Sequence, residues 1–449
     1  MVSTSNEGPS NVTLSKEQED LLASAPRTRS TLITLFRQVL EGEEHSSAQP
    51  NVRNGQPPPP VRLPIALFVM TPGFEYAEHD WIGDTVCIQY VLPLTPGSDI
   101  PGERVQRRGK DLPIFTIGEG SDAFKMTYGT VSALAGDFYG TKNPISDGKT
   151  EEDCQIRFKE AYDTLRNNPQ DQPGDAEGLV KCLREEVDAV NKAFKDGIDP
   201  STVYRGHGVV AQSKLLSLTL FRKCPNLPNY LSLALIDWDH FGTDALIAWG
   251  TGHRMAINHA AGERSISRLT EAYFMNSFAD HFLQDSFSSG HIRTPRRALH
   301  NDVGSRDRLA QYMHDEDCAL GLTVTNGKGE TWDAYGDRML LDRANSDNLS
   351  RCMLAIEASA REVFEAWDKG EPFGKTFIPE PLRMVPRTVS EDGLAALFRG
   401  PDSSWDDLYR RVSIDNRTDH SFTKDWHLIT TLPALEASKL WEYPMKLHN

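Results

Sequence analysis

Between Ser265 and Ser289 the chain carries its longest helix-period pattern, in which Leu269, Tyr273, Phe274, Phe278, Phe282, Leu283 and Phe287 fill a broad apolar face. A stripe that wide predicts a helix buried at the centre of a helical core. Polar groups on such a helix need a partner or an ion, because burying them bare costs roughly 2–7 kcal/mol. His281 and Asp285 are such groups, and their four-residue offset stacks both side chains on one helix face, about 5–6 Å apart at Cβ. They are close enough to share one ion or serve adjacent ones. The pattern breaks near Ser288-Ser289-Gly290, so His291 can turn back from a loop while Arg293 and Pro295 continue away. Imidazole and carboxylate are ligands suited to zinc, whereas a structural site would be expected to use thiols. Taken alone, the pair also reads as a hydrogen-bonded core histidine.

The rest of the chain fits a mainly α protein. Ile156, Phe158, Tyr162 and Leu165 mark one helix; Leu179, Leu183, Val187, Val190 and Phe194 mark a second, with the breaker-rich NNPQDQPGD between them. These form a helical hairpin within an insertion over 142–205, read as packing or a lid. Another helix begins near Ser346 and carries Leu349, Met353, Ile356, Ala360, Val363 and Trp367 before Gly370 ends it. Residues 1–60 read as a flexible tail closed by the stiff Pro57–Pro60 linker, and 61–369 as the core. Ile65 to Met70 resembles a short buried strand or an extended lead-in to the globular part, and HDWIGDTVCIQYVL looks helical. Residues 370–449 form an irregular or β cap in which VSIDN and HLITTL pair as strands.

Composition excludes some classes. Lys and Arg number 48 against 64 Asp and Glu, a net charge of −16, which opposes the counterion-release binding that tracks nucleic-acid phosphates. The six cysteines show no CxxC spacing, so free thiols are expected rather than a zinc ribbon or disulfide framework. The first residues lack a signal-peptide pattern and no segment has the ~18 uninterrupted apolar residues of a membrane span. A cytoplasmic protein without a transmembrane segment is the expectation.

Further His and acid groups extend the constellation: His79 opening HDWIGDTVCIQY, Asp137 in the Gly-bounded LAGDFYG, His240 in IDWDHFG, and His314 heading HDEDC beside Glu316 and Asp317. In this order, with the HxxxDxxxxxH of His281, Asp285 and His291 as the most specific part, residues 79–320 resemble the zinc-dependent phospholipase C and single-strand nuclease superfamily. The contexts FADHFLQDSFSSGHIR, LAGDFYG and DHFGTDALIAW look closer to its bacterial and fungal phospholipase C branch.

That resemblance implies a multi-helix core of the zinc-dependent phospholipase C type and two or three zinc ions. Asp137, His240, His281 and Asp285 would surround one ion, His291 and His314 with an acid a second, and His79 with bridging Asp285 a third. Two features depart from the family. Its members use a processed N-terminal Trp as a ligand, whereas here 78 residues precede His79; Glu75, Glu78, Asp80 or cleavage would have to complete that site. The family's acid four residues after the last His falls on Cys318, and helical geometry favours Asp317 as the substitute.

The activity so implied is a metal-dependent phosphodiesterase acting on a phosphatidylcholine-type phospholipid at a membrane or micelle surface, releasing diacylglycerol and a phosphorylated head group. Asp137 is the candidate to orient or deprotonate the attacking water, with plain metal ligation the alternative. Arg293, Arg296 and Arg297 either contact an anionic head group or form a solvated basic loop. Ser288 and Ser289 beside His291 lack a GxSxG elbow, which excludes a Ser–His hydrolase. The rival functions are a nuclease of the same superfamily and a catalytically silent, metal-stabilised scaffold.

Overall fold

The computed structural model describes residues 76–438 apart from 113–114, 118–123, 168–174, 205–217, 220–226, 302–305 and 375–376. The N-terminal tail, its proline run and the expected strand at 65–70 lie outside the described residues. Within them the fold is mainly α.

Its helices are α1 (Tyr76–Thr85), α2 (Tyr128–Leu134), α3 (Glu151–Arg166), α4 (Asp175–Lys195), α5 (Tyr230–Ala234), α6 (Gly242–Ala260), α7 (Ile266–Asp285), α8 (Ser289–Ile292), α9 (Asp307–Leu320), α10 (Ser346–Lys369), α11 (Pro381–Met384) and α12 (Leu428–Ser438). None of them is long and apolar enough to cross a membrane.

Helix α7 is the axis of the molecule. The Ser265 hydroxyl caps its start by accepting the Arg268 N–H, and from Asn276 to Asp285 every residue is buried. Helices α2, α6 and α10 pack around it. The face that α6 buries carries a row of small residues, Ala245, Ala248, Gly252 and Ala256, beside the larger Trp249, His253 and Ile257. A Cβ on Gly252 would fall 2.7 Å from the Ala279 Cβ and closer still to the Phe158 ring, so the glycine sets how near α6, α7 and α3 can approach. Helix α10 ends as its sequence predicts, with Gly370 in the left-handed region at φ 71°.

The 142–205 hairpin forms as α3 and α4, yet it is part of the core and not a detached lid. Phe158, Tyr162, Leu165, Leu179, Leu183, Val187 and Val190 join the main apolar cluster, while Ile156 and Phe194 are exposed. HDWIGDTVCIQYVL is helical only to Thr85. It then becomes strand β1 (Cys87–Pro93), antiparallel to β2 (Pro101–Arg108), because the β-branched and aromatic run after Val86 buries Ile88 and Tyr90 in strand alternation, with Val91 buried beside them.

The C-terminal part also departs from expectation. After the short pair β3 (Phe115–Ile117) and β4 (Phe124–Met126), strands β5 (Leu322–Asn326), β6 (Thr331–Ala334) and β7 (Pro386–Val389) form one sheet. A second contains β8 (Phe398–Arg399), β9 (Tyr409–Arg411) and β10 (Phe422–Thr423). VSIDN lies in turns just past β9, and HLITTL enters α12, where Leu432 and Leu435 pack with Leu309 and Met313 of α9 in a separate small core. The region therefore braces α9. Arg411, fully buried, binds Glu316 of α9 through both terminal nitrogens at 2.7 and 3.0 Å.

Candidate metal centre

Six pieces of chain converge on the C-terminal end of α7. Helix α1 supplies His79, the loop after α2 supplies Asp137, and a single 3-10 turn at Asp237–His240 supplies His240. Helix α7 supplies His281 and Asp285, α8 supplies His291 and α9 supplies His314. Their rings touch in succession: centroids lie 4.4 Å apart for His79 and His281, 4.8 Å for His240 and His281, and 4.9 Å for His291 and His314. Gly136 makes this approach possible. Its φ of 71° turns the chain at Asp137, and a Cβ there would stand 2.9 Å from His240 Nε2.

Three buried triads can each hold a metal ion: His79, His281 and Asp285; Asp137, His240 and His281; and His291, His314 and Asp337. Asp285 has one oxygen on each side, with Oδ1 3.5 Å from His79 Nε2 and Oδ2 2.8 Å from His240 Nδ1 and 3.3 Å from His281 Nε2. Asp337 Oδ2 lies 3.4 Å from His291 Nε2 and 3.2 Å from His314 Nε2. Ligands at 2.0–2.1 Å in a tetrahedron stand ~3.3 Å from one another, so these spacings suit zinc-like coordination as well as hydrogen bonding.

The donor chemistry also fits. His281 Nδ1 donates to the Ser132 carbonyl at 2.9 Å and His291 Nδ1 to the His240 carbonyl at 2.8 Å, which leaves each Nε2 with its lone pair facing the cluster. Since only one nitrogen of His281 is available, it serves one ion although it belongs to two triads. His79 Nδ1 faces the Gln284 side-chain oxygen at 2.9 Å, fixing that ring in the same sense. Asp137 Oδ1 is buried and accepts no hydrogen bond, 3.8 Å from His240 Nε2. An orphaned carboxylate oxygen of this kind calls for a cation.

Electrostatics describe the same demand for positive charge. Burial raises the Asp137 carboxyl well above its ordinary range. Burial lowers His240, but Asp285 and Asp137 more than offset it and push this imidazole up to about 10. Burial alone would raise Asp285 and Asp337; the surrounding histidines instead hold both below the usual carboxylate range. His281 falls well below an ordinary histidine because its desolvation dominates.

Asp337 was not found from the sequence, and it stands where Asp317 was expected. Asp317 points away from His314 and is gripped by Arg293 at 2.7 and 2.8 Å. Asp337 reaches His314 from the loop after β6, 23 residues further on, where helical spacing gives no information. The signal that was present is a Gly-Asp pair, Gly336-Asp337, matching Gly136-Asp137 in LAGDFYG. The expected completions of the His79 site are also engaged: Glu78 accepts backbone N–H groups and Asp80 accepts the Thr130 hydroxyl, while Glu75 is outside the described residues.

The basic and hydroxyl groups serve structure. Besides Arg293, Arg296 is buried between Asp237 and Asp307, and Arg297 binds Asp244 and Asp147. A substrate phosphate would have to compete with these carboxylates for any of the three. Ser288 donates to Asp337 Oδ1 at 2.6 Å and Ser289 to the Asp317 carbonyl at 2.7 Å. Five cysteines among the described residues are free thiols, and Cys318 sits 3.5 Å from His314 Nε2. Comparison of the chain with protein-family models, with curated proteins and with solved structures returned no match.

Proposed function

We propose that the protein is a zinc-dependent phosphodiesterase of the phospholipase C type, cleaving the glycerol-side bond of a phospholipid such as phosphatidylcholine. The observation that carries this reading is the adjacency of three buried His/Asp triads, with Asp285 of the first lying within 3.7 Å of His240 of the second and His291 of the third. The order of the motifs along the chain supports it. Zinc held there supplies Lewis acidity toward a phosphodiester and lowers the pKa of water toward neutrality. Asp137, whose Oδ1 has no hydrogen bond, would either orient such a water and take its proton or ligate the ion itself. Ser132 and the His240 carbonyl keep His281 and His291 in the tautomer that presents Nε2. Among the described residues Arg293, Arg296 and Arg297 are tied to acids, so these three do not form a basic track for a polynucleotide, which favours a phospholipid over a nucleic acid.

A second reading, a metal-stabilised scaffold without catalysis, is favoured by one observation: every histidine and aspartate of the three triads is less than a tenth exposed. Elemental analysis paired with assays for phosphocholine and for mononucleotides decides among these. Bound zinc with chelator-sensitive release of phosphocholine is expected. Mononucleotide release would move the protein to the nuclease reading. Zinc without either activity, in a protein whose His281→Ala variant melts well below the parent, would establish the scaffold instead.

A further inference from the structure

We propose that Glu78 is a positioning residue that sets the ligand Asp337 and so links the first and last metal triads; this rests on the metal-centre reading. Glu78 is wholly buried at the start of α1, directly before His79. Its two carboxylate oxygens accept the backbone N–H groups of Arg338 and Leu340, at 2.9 and 3.0 Å, on either side of one tight turn. That turn needs holding. Arg338 is the one non-glycine residue with positive φ among the described residues, at 69°, a conformation that is unfavourable for a side chain of its kind.

The residue just before the kink is Asp337. Its own N–H donates to Ser288 Oγ at 3.2 Å, and Gly336 N–H donates to the Cys318 carbonyl at 3.1 Å. Three elements therefore grip four residues: α9 through Cys318, the turn before α8 through Ser288, and α1 through Glu78. Glu78 holds the C-terminal side of the kink with two charge-assisted hydrogen bonds, and such bonds are the stronger kind. Loss of that pair removes two anchors from the strained turn and favours relaxation of Arg338 towards negative φ, which shifts Asp337 Oδ2 relative to His291 and His314.

The experiment is calorimetric titration of chelator-treated protein with Zn2+ alone, for the wild type and Glu78→Gln. Glutamine keeps the volume but presents an amide where one N–H needs an acceptor. Outer-shell partners of this kind alter metal affinity ~10–100-fold, so one zinc equivalent should weaken by that factor while another stays at wild-type affinity. A merely structural role would lower the melting point of the chelated protein and leave the fitted affinities alone. Should Glu78→Gln fail to fold, the double variant Glu78→Gln/Arg338→Gly removes the strained side chain and is measured in its place, with part of the lost affinity expected back. Unchanged zinc affinities in the variant, with zinc on the wild type, would overturn this proposal alone. No zinc on the wild type would overturn the metal-centre reading and this proposal together.

Discussion

Asp317 and Asp337 compete for one role, and replacing each in turn separates them. Asp317→Asn breaks a pair in which the acid is 1% and Arg293 16% exposed. Removing one partner of a buried pair costs about 3–5 kcal/mol; Arg293 keeps its bond to the Leu394 carbonyl and some solvent, so about 3 kcal/mol is the expectation. That loss should be the same with and without chelator, since Asp317 faces no metal ligand. Asp337→Asn instead removes the carboxylate shared by His291 and His314. Zinc at a hundredfold excess over its Kd stabilises a folded protein by about 2.7 kcal/mol, and this variant should lose that increment for one ion. The assay is thermal unfolding with and without chelator, beside the zinc-to-protein ratio from elemental analysis. The readout is the chelator-dependent difference, because Asp337 also contributes ion pairs to the metal-free protein. An intact difference and ratio in Asp337→Asn, with both reduced in Asp317→Asn, would refute the assignment.

Gly136→Ala should strip an ion from the His240 and His281 side, since φ 71° costs an alanine ~1–2 kcal/mol and its Cβ would lie 2.7–3.0 Å from both rings; a normal zinc ratio in this variant would show that the loop can yield. Arg411→Met should destabilise the protein by about 3–5 kcal/mol, read in a denaturant titration, because Glu316 is left buried without its main partner. A loss below about 1 kcal/mol would mean that the C-terminal region does not brace α9. Glu186 is held by burial at about 7, above its ordinary 4.5, with only the Arg338 charge opposing. An acid raised in the folded state contributes stability that is complete below its unfolded pKa and is lost as pH rises through the folded one. Glu186→Gln should thus be neutral near pH 4 and stabilising above pH 7.5, by up to ~3 kcal/mol at 1.36 kcal/mol per unit. A gain at pH 4 equal to that at pH 8 would contradict this.

Sequence alone determined whatever depends on near neighbours along the chain. The period of Leu269 to Phe287 made α7 a central helix, the offset of four put His281 over Asp285, and Gly370 closed α10. The glycines around Asp137 marked a turn able to reach the cluster. Each of these follows from a backbone repeat of 3.6 residues or from a single permissive φ.

What tertiary structure decided was the choice of partner. Arg293, Arg296 and Arg297 looked free because their acids lie 11 to 150 positions away. Asp317 had the right helical offset, yet Arg293 was nearer, and the carboxylate that faces His314 came from a loop pinned by Glu78 and Ser288. Likewise HLITTL had strand composition, but the apolar surface of α9 selected a helix there. Charges and apolar faces settle on whichever complementary group the folded chain brings within a few ångströms, and spacing along the polymer does not encode that distance.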